Sequence, residues 1–275
     1  MPELPEVETV VRSLRQALLG AVIEAVEVRH AGILRSAPAA SFLAVENARI
    51  RNVERAGKFI LLELTGRTVN MHLVLHLGMT GQLLVVVDDA PRAKHTHAIF
   101  QIRGGRQLRF VDPRRFGRLD LAIGGTRTLR MQQLGIPVGH EPLTISAEDF
   151  VALFRKRSAP IKNALLNQNL LRGLGNIYAD ESLFRAGIHP RAHHLSAPRL
   201  LRLRLAVRHI LQQAIRAGGS SISDYVSSDG TRGWFQLHHR VYGRTGLPCV
   251  RCRGPIRRLV LAGRSAHFCP HCQMR

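Results

Sequence analysis

The chain has 275 residues, with 40 Lys+Arg against 19 Asp+Glu and a formal charge of +21. Domains most often run to about 100–150 residues, so this length points to two cores, and the charge favours a polyanionic partner, nucleic acid foremost, without specifying a fold. No run approaches the roughly 18 apolar residues of a membrane helix, and the N-terminus lacks the charged-then-apolar layout of a signal peptide, so a soluble cytoplasmic protein without a membrane partner is expected.

The chain opens Met1-Pro2-Glu3-Leu4-Pro5-Glu6-Val7-Glu8-Thr9. If Met1 is removed, as a small second residue permits, Pro2 presents a secondary amine beside a carboxylate. An α-amino group titrates near about 8 and lysine near about 10.4, so at pH 7 the terminus is the better amine nucleophile by roughly a hundredfold. The same residues also suit an ordinary helix start, with proline in the first turn and acids at its positive end. Val7, Val10, Val11, Leu14 and Leu18 then form a helical stripe that stops at Gly20.

From residue 21 the pattern changes to short β-rich runs. Strands are predicted over 21–28, 50–54, 59–64, 68–77, 83–87, 98–102, 107–111 and 118–123, separated by turns such as Thr65-Gly66, Asp88-Asp89 and Gly104-Gly105. That spacing predicts a β-sandwich. Residues 124–144 read as a linker with little periodicity, and helical signals follow. Ser146 precedes Phe150, Val151 and Phe154 as an N-cap would. Leu200, Leu203, Val207, Ile210, Leu211 and Ala214 stripe a long basic helix ending at Gly218-Gly219.

Charge is uneven: residues 1–125 carry 17 basic and 12 acidic side chains, residues 126–275 carry 23 and 7. The second half is therefore expected to hold most of the backbone-binding surface. Only four cations are lysines, Lys58, Lys94, Lys156 and Lys162. That scarcity is a weak flag for titratable cations, which genomic base composition would also produce.

Cys249-x2-Cys252 and Cys269-x2-Cys272 are sixteen residues apart, the spacing of a four-thiolate site for one structural zinc. A complete thiolate set leaves no open coordination position and makes His267 and His271 surplus. Arg251, Arg253, Arg257, Arg258 and Arg264 surround it and suit phosphates. Arg172-Gly173-Leu174-Gly175-Asn176 is a glycine-rich turn into a helix, an anion site or simply a turn. Asp112-Pro113-Arg114-Arg115-Phe116-Gly117 is either a base-displacing loop or a turn with one core Phe. Met79 reads as a wedge or, more commonly, a core methionine.

Together these residues resemble the bacterial formamidopyrimidine-DNA glycosylases over essentially the whole chain. The marks are Leu4 to Thr9, Ala56-Gly57-Lys58-Phe59, His76-Leu77-Gly78-Met79, Asp112 to Gly117, Gly175-Asn176-Ile177-Tyr178-Ala179 and the terminal cysteines. The resemblance implies a monomeric base-excision enzyme on damaged double-stranded DNA, with an α+β fold. Its parts would be a catalytic β-sandwich with an opening helix (1–125), a linker (126–145), a helix-two-turn-helix domain (146–238) and a zinc-finger hairpin (239–275). It implies 8-oxoguanine and formamidopyrimidine excision through a Schiff base on Pro2, followed by β,δ-elimination.

Glu3 would be the acid, Lys58 the proton donor in β-elimination, and Arg264 would assist δ-elimination. Met79, Arg114 and Phe116 would fill the void, with Arg114 facing the orphaned cytosine. His95, Arg157, Lys162 and Asn176 would contact the DNA backbone, and Ser220, Ser221, Ser223 and Tyr225 would belong to a lesion-capping loop. Two departures from the pattern are Thr80, where serine is usual, and His72 in a normally apolar strand. Alternatives are an endonuclease VIII-type glycosylase for oxidised pyrimidines, disfavoured by Leu4 and the intact Asp112–Gly117 loop, and a non-catalytic zinc DNA-binding protein, which has no need of Pro2, Glu3 and Lys58 together.

Overall fold

A computed structural model describes residues 1–35, 37–66, 69–220 and 233–275, without the side chains of 127–129. The chain divides into two compact units, Met1–Ile136 with Gly218–Gly233, and Pro137–Ala217 with Trp234–Arg275.

In the first unit the apolar stripe forms α1 (Leu4–Leu18). Glu3 is its N-cap, and Glu6, one turn on, accepts the Glu3 backbone N–H at 2.8 Å, satisfying a donor that a helix start leaves open. Eight strands follow: β1 (Ile23–Val28), β2 (Arg49–Ala56), β3 (Phe59–Thr65), β4 (Asn70–His76), β5 (Gln82–Val87), β6 (Thr96–Ile102), β7 (Arg106–Val111) and β8 (Arg118–Ile123). Several start one or two residues before the apolar run, because polar residues such as Arg49, Gln82 and Arg106 pair through their backbones. The strands form two antiparallel sheets ordered β1-β6-β7-β5 and β2-β3-β4-β8.

One core takes Val7, Val10, Val11, Leu14 and Leu18 of α1 together with alternate residues of both sheets, among them Ile60, Leu62, Leu73, Leu75, Phe100 and Phe110. Each such buried side chain contributes about 1.5–3 kcal/mol. The opposite face of the second sheet carries a smaller core of Ala56, Leu61, Val74, Ala122, Leu134 and Ile136.

That second core explains a correction. The segment expected as an aperiodic linker contains a helix, α2 (Arg127–Gln133), and the residues just after it, Leu134 and Ile136, cover the sheet. Seven residues with alternating polar character carry too little periodicity to announce a helix. Arg130 of α2 also accounts for His72. Its Nε donates to His72 Nδ1 at 2.8 Å, and its Nη1 donates to the Gly124 and Gly125 carbonyls at 2.8 and 2.5 Å. His72 is therefore an interior histidine whose Nδ1 accepts from Arg130.

The second unit contains α3 (Ala147–Arg155), α4 (Ile161–Leu166), α5 (Asn176–Ala186) and α6 (Ala197–Arg216), then the hairpin β9 (Arg257–Leu261) and β10 (Arg264–Phe268). Ser146 caps α3 by accepting from Asp149 N at 3.0 Å. Between α4 and α5 the chain makes two turns. Gln168 holds them, donating to the Leu166 and Leu174 carbonyls and accepting from Gly173 N. Helix α5 ends at Gly187, whose φ of 66° suits glycine and returns its N–H to Leu183 and Phe184.

Candidate active site and nucleic-acid interface

Pro2 and Glu3 are buried at the head of α1, and Lys58 is buried in the β2–β3 turn. In this chain the Pro2 nitrogen is an amide and the free amine belongs to Met1. Burial lowers that amine from its ordinary value of 8.0, with Glu3 and Glu6 opposing, and Lys58 and Arg114 assisting. Two carboxylates and two cations therefore act on the charge of this one amine.

Two residues passed over in the sequence belong to this cluster. Glu6 Oε1 accepts the Ser220 N–H at 2.7 Å while its Oε2 holds Glu3 N, so one carboxylate ties the helix start to a residue 214 positions away. His76 is pushed down to about 4 by burial, with Lys58, Arg118 and Arg35 adding like charge. Its Nδ1 accepts the Gly78 N–H at 3.1 Å, so the neutral ring carries its proton on Nε2. Glu6 had a local signal as the third residue after a cap, and His76 stood inside the His76-Leu77-Gly78-Met79 motif.

The three void-filling candidates project from two welded loops. Met79 is 39% exposed and Phe116 53%, which removes the alternatives of a core methionine and a core phenylalanine. Arg114 stacks its guanidinium 4.8 Å from the Phe116 ring centroid. Asp112, fully buried, accepts from Thr80 Oγ1 at 2.5 Å, Gly117 N at 2.7 Å and Arg114 N at 3.2 Å. Gly78 has φ +62°, and a Cβ there would lie 2.5 Å from the Phe116 carbonyl carbon, so the loops touch through backbone. The threonine at 80 keeps the hydroxyl that this joint requires.

His95 is half-buried just before β6. In the second unit Arg157 is exposed and bonded to the Leu153 carbonyl, Arg264 is exposed at the start of β10, and Asn176 donates to Ser265 Oγ at 3.2 Å. Lys162 departs from expectation. It is fully buried and binds Asp180 Oδ1 at 2.5 Å and the Ser265 carbonyl at 2.6 Å, so its ammonium faces the interior and not a solvent-borne phosphate. Arg251 is also committed internally, donating to the Phe184 and Arg185 carbonyls and lying 4.4 Å from the Phe184 ring. Ser220 is buried on Glu6, whereas Ser221, Ser223 and Tyr225 lie outside the described residues.

The four thiols of Cys249, Cys252, Cys269 and Cys272 lie within 4.8 Å of one another, with Sγ pairs at 3.9 and 3.4 Å. Zn–S bonds of about 2.3 Å put tetrahedral ligands about 3.8 Å apart, and a disulfide needs about 2.05 Å, so the set fits zinc. Arg251 N and Cys272 N donate to Cys249 and Cys269 sulfurs at 3.4 Å. His267 turns instead to Asp180 Oδ2, 3.2 Å from its Nδ1. One structural Zn2+ is held by the four cysteines.

A sandwich whose first helix starts from a buried Pro2–Glu3 pair, a helix-two-turn-helix segment and a four-cysteine hairpin together define a DNA-glycosylase class of architecture. Comparison with known proteins agrees: residues 1–119 match the formamidopyrimidine-DNA glycosylase N-terminal domain, 138–226 its H2TH domain, and 246–275 the zinc finger found in FPG and IleRS. The formamidopyrimidine-DNA glycosylase of Solibacter usitatus is 48% identical over 100% of both chains, and that of Dechloromonas aromatica 44% over 99% of this chain and 100% of its own. Among solved structures, Thermus thermophilus MutM (Fpg) superposes with TM-score 0.85 at 42% identity, covering 99% of this chain and 98% of its own. Lactococcus lactis Fpg bound to abasic-site DNA does so with TM-score 0.89 at 35% identity, covering 99% and 100%. The chain belongs to the formamidopyrimidine-DNA glycosylase family. Among the described residues no helix is long and apolar enough to cross a membrane.

Proposed function

We infer that the protein is a bifunctional DNA glycosylase and AP lyase of base excision repair, acting on 8-oxoguanine and formamidopyrimidines. The observation that carries the mechanism is the burial of Pro2, Glu3 and Lys58 in one unit, at the head of α1 and in the β2–β3 turn. With Met1 removed, Pro2 nitrogen attacks C1′ of the damaged nucleotide, and the base departs with the C1′–N bond pair and a proton. Glu3 gives a proton to the ring oxygen, and the opened sugar is left as an iminium on Pro2. The iminium acidifies the C2′ proton, and its removal expels the 3′ phosphate; a second elimination expels the 5′ phosphate.

Lys58 supplies the proton of the first elimination, and Arg264 grips phosphate for the second. Met79, Arg114 and Phe116 fill the gap left by the extruded base. Extrusion costs a few kcal/mol, and residues that replace the lost stacking have work only on a duplex. His95, Arg157 and Asn176 bind backbone phosphate. In this reading residues 1–125 form the catalytic domain, 126–145 the connection, 146–238 the helical DNA-binding domain and 239–275 the finger. The enzyme acts as a cytoplasmic monomer. The zinc ties the hairpin together and takes no part in bond breaking, because four thiolates leave it no open position.

Borohydride trapping on a duplex with 8-oxoguanine opposite cytosine tests this. A covalent adduct mapped to Pro2 is expected from the processed protein and not from Pro2→Gly. An adduct on a lysine, or none from a protein shown to begin at Pro2, would refute the assignment.

A further inference from the structure

The Lys162–Asp180 pair occupies a place where α4, α5 and β10 meet. Asn176 and Asp180 are four residues apart on α5 and therefore share a face, and Ser265 and His267 are two apart on β10 and share the other. The two faces are joined position by position: Asn176 Nδ2 to Ser265 Oγ at 3.2 Å, and His267 N to Asp180 Oδ2 at 2.8 Å. Lys162, reaching in from α4, closes the joint by binding Asp180 Oδ1 and the Ser265 carbonyl together. The residue before Ser265 is Arg264, and the helix that starts at Asn176 is the one Lys162 grips.

We propose that Lys162 is a positioning residue that fixes the register of the finger strand against α5, so that Arg264 and Asn176 form one rigid phosphate-binding element. A helix period of four meeting a strand period of two matches at a single register, because a one-residue slip would turn Arg264 inward and Ser265 out. The carboxylate of Asp180 is held by strand and helix alike, yet it is a buried charge. Without the Lys162 ammonium it would keep only the His267 N–H and ring contacts on Oδ2 and lose its buried cationic partner, which buried sites tolerate poorly. The inference rests on the reading that Arg264 and Asn176 hold DNA phosphates, but the joint itself does not.

The test uses the zinc-loaded, full-length protein with Lys162→Met, Asp180→Asn and the double variant. Hydrogen exchange of the β10 amides is measured first, and binding to a lesion duplex across a salt series second. Lys162→Met is expected to lose β10 protection and to raise the KM for DNA by roughly tenfold to hundredfold, the cost of one charge-assisted phosphate hydrogen bond, with the loss falling on KM rather than on the single-turnover rate.

Adding Asp180→Asn removes the stranded charge and should recover most of both losses, and the salt slope should stay that of wild type. Wild-type β10 protection in Lys162→Met would overturn the proposal. So would a salt slope reduced by about one with no recovery in the double variant, the signature of a direct phosphate contact. Lost and recovered protection with wild-type DNA affinity throughout would uphold the joint and sink the phosphate roles of Arg264 and Asn176 instead. If Lys162→Met alone fails to fold, the double variant is read against Asp180→Asn. Folding rescued by the pair supports the ion-pair role, and no rescue counts against it.

Discussion

Replacing Asp112 by alanine should separate the void-filling apparatus from the chemistry. In the structure its carboxylate, with no solvent exposure, accepts from Thr80 Oγ1 and Gly117 N at 2.5 and 2.7 Å, while the third donor, Arg114 N, sits in an exposed loop at 3.2 Å. Hydrogen bonds to a charged acceptor contribute about 1.5–3 kcal/mol each, and the two buried donors would be left without their acceptor, so the loss should be roughly 3–5 kcal/mol. For a unit of this size that lowers Tm by roughly 6–20 °C. Asp112→Asn keeps one acceptor oxygen and should lose about half as much, and Thr80→Ser, which keeps the hydroxyl, should be close to neutral.

The functional consequence is selective. Met79, Arg114 and Phe116 would no longer be held as one surface, so excision of 8-oxoguanine opposite cytosine should slow. Cleavage at a preformed abasic site, which has no base to extrude, should slow far less. Thermal unfolding and single-turnover rates on the two duplexes decide the matter. An unchanged Tm would refute the energetic argument, and equal slowing on both substrates would refute the link between Asp112 and extrusion.

Acid should destabilise the first unit through His76. Its folded value of about 4 lies below the usual 6.5, so the stability tied to the neutral ring is complete above about pH 6.5 and is lost as pH falls through 4, by about 3 kcal/mol in all. His76→Gln should flatten that limb in a denaturant–pH series, and a wild-type slope in the variant would exclude His76 as its source. Elemental analysis should return one zinc per chain. Chelation should cost lesion-DNA affinity, because the small core of Phe184, Val241, Cys249, Ile256 and Cys269 includes two of the ligands; full affinity in zinc-free protein would remove the finger from DNA binding.

What the sequence determined by itself were features whose physics is local. The α1 stripe, the eight strands and the Ser146 cap follow from periodicity and capping over a few residues, and the cysteine spacing encodes knuckle geometry directly. That Pro2 stands directly before Glu3, and becomes a terminal amine once Met1 is removed, is a chemical fact of the chain order. Tertiary structure decided everything that depends on who meets whom across long separations.

Lys162 reads as a surface cation until α5 and β10 enclose it, and Arg251 reads as a phosphate ligand until the end of α5 claims it. His72 looked like an interruption because its partner, Arg130, lies 58 residues on in a helix too short to show a period. Glu6 reads as one more acid at a helix start until its second oxygen meets Ser220. Residue type fixes what a side chain can donate, accept or ionise, but burial and partners fix which of those it does, and both are set by the packing of segments that the sequence leaves far apart.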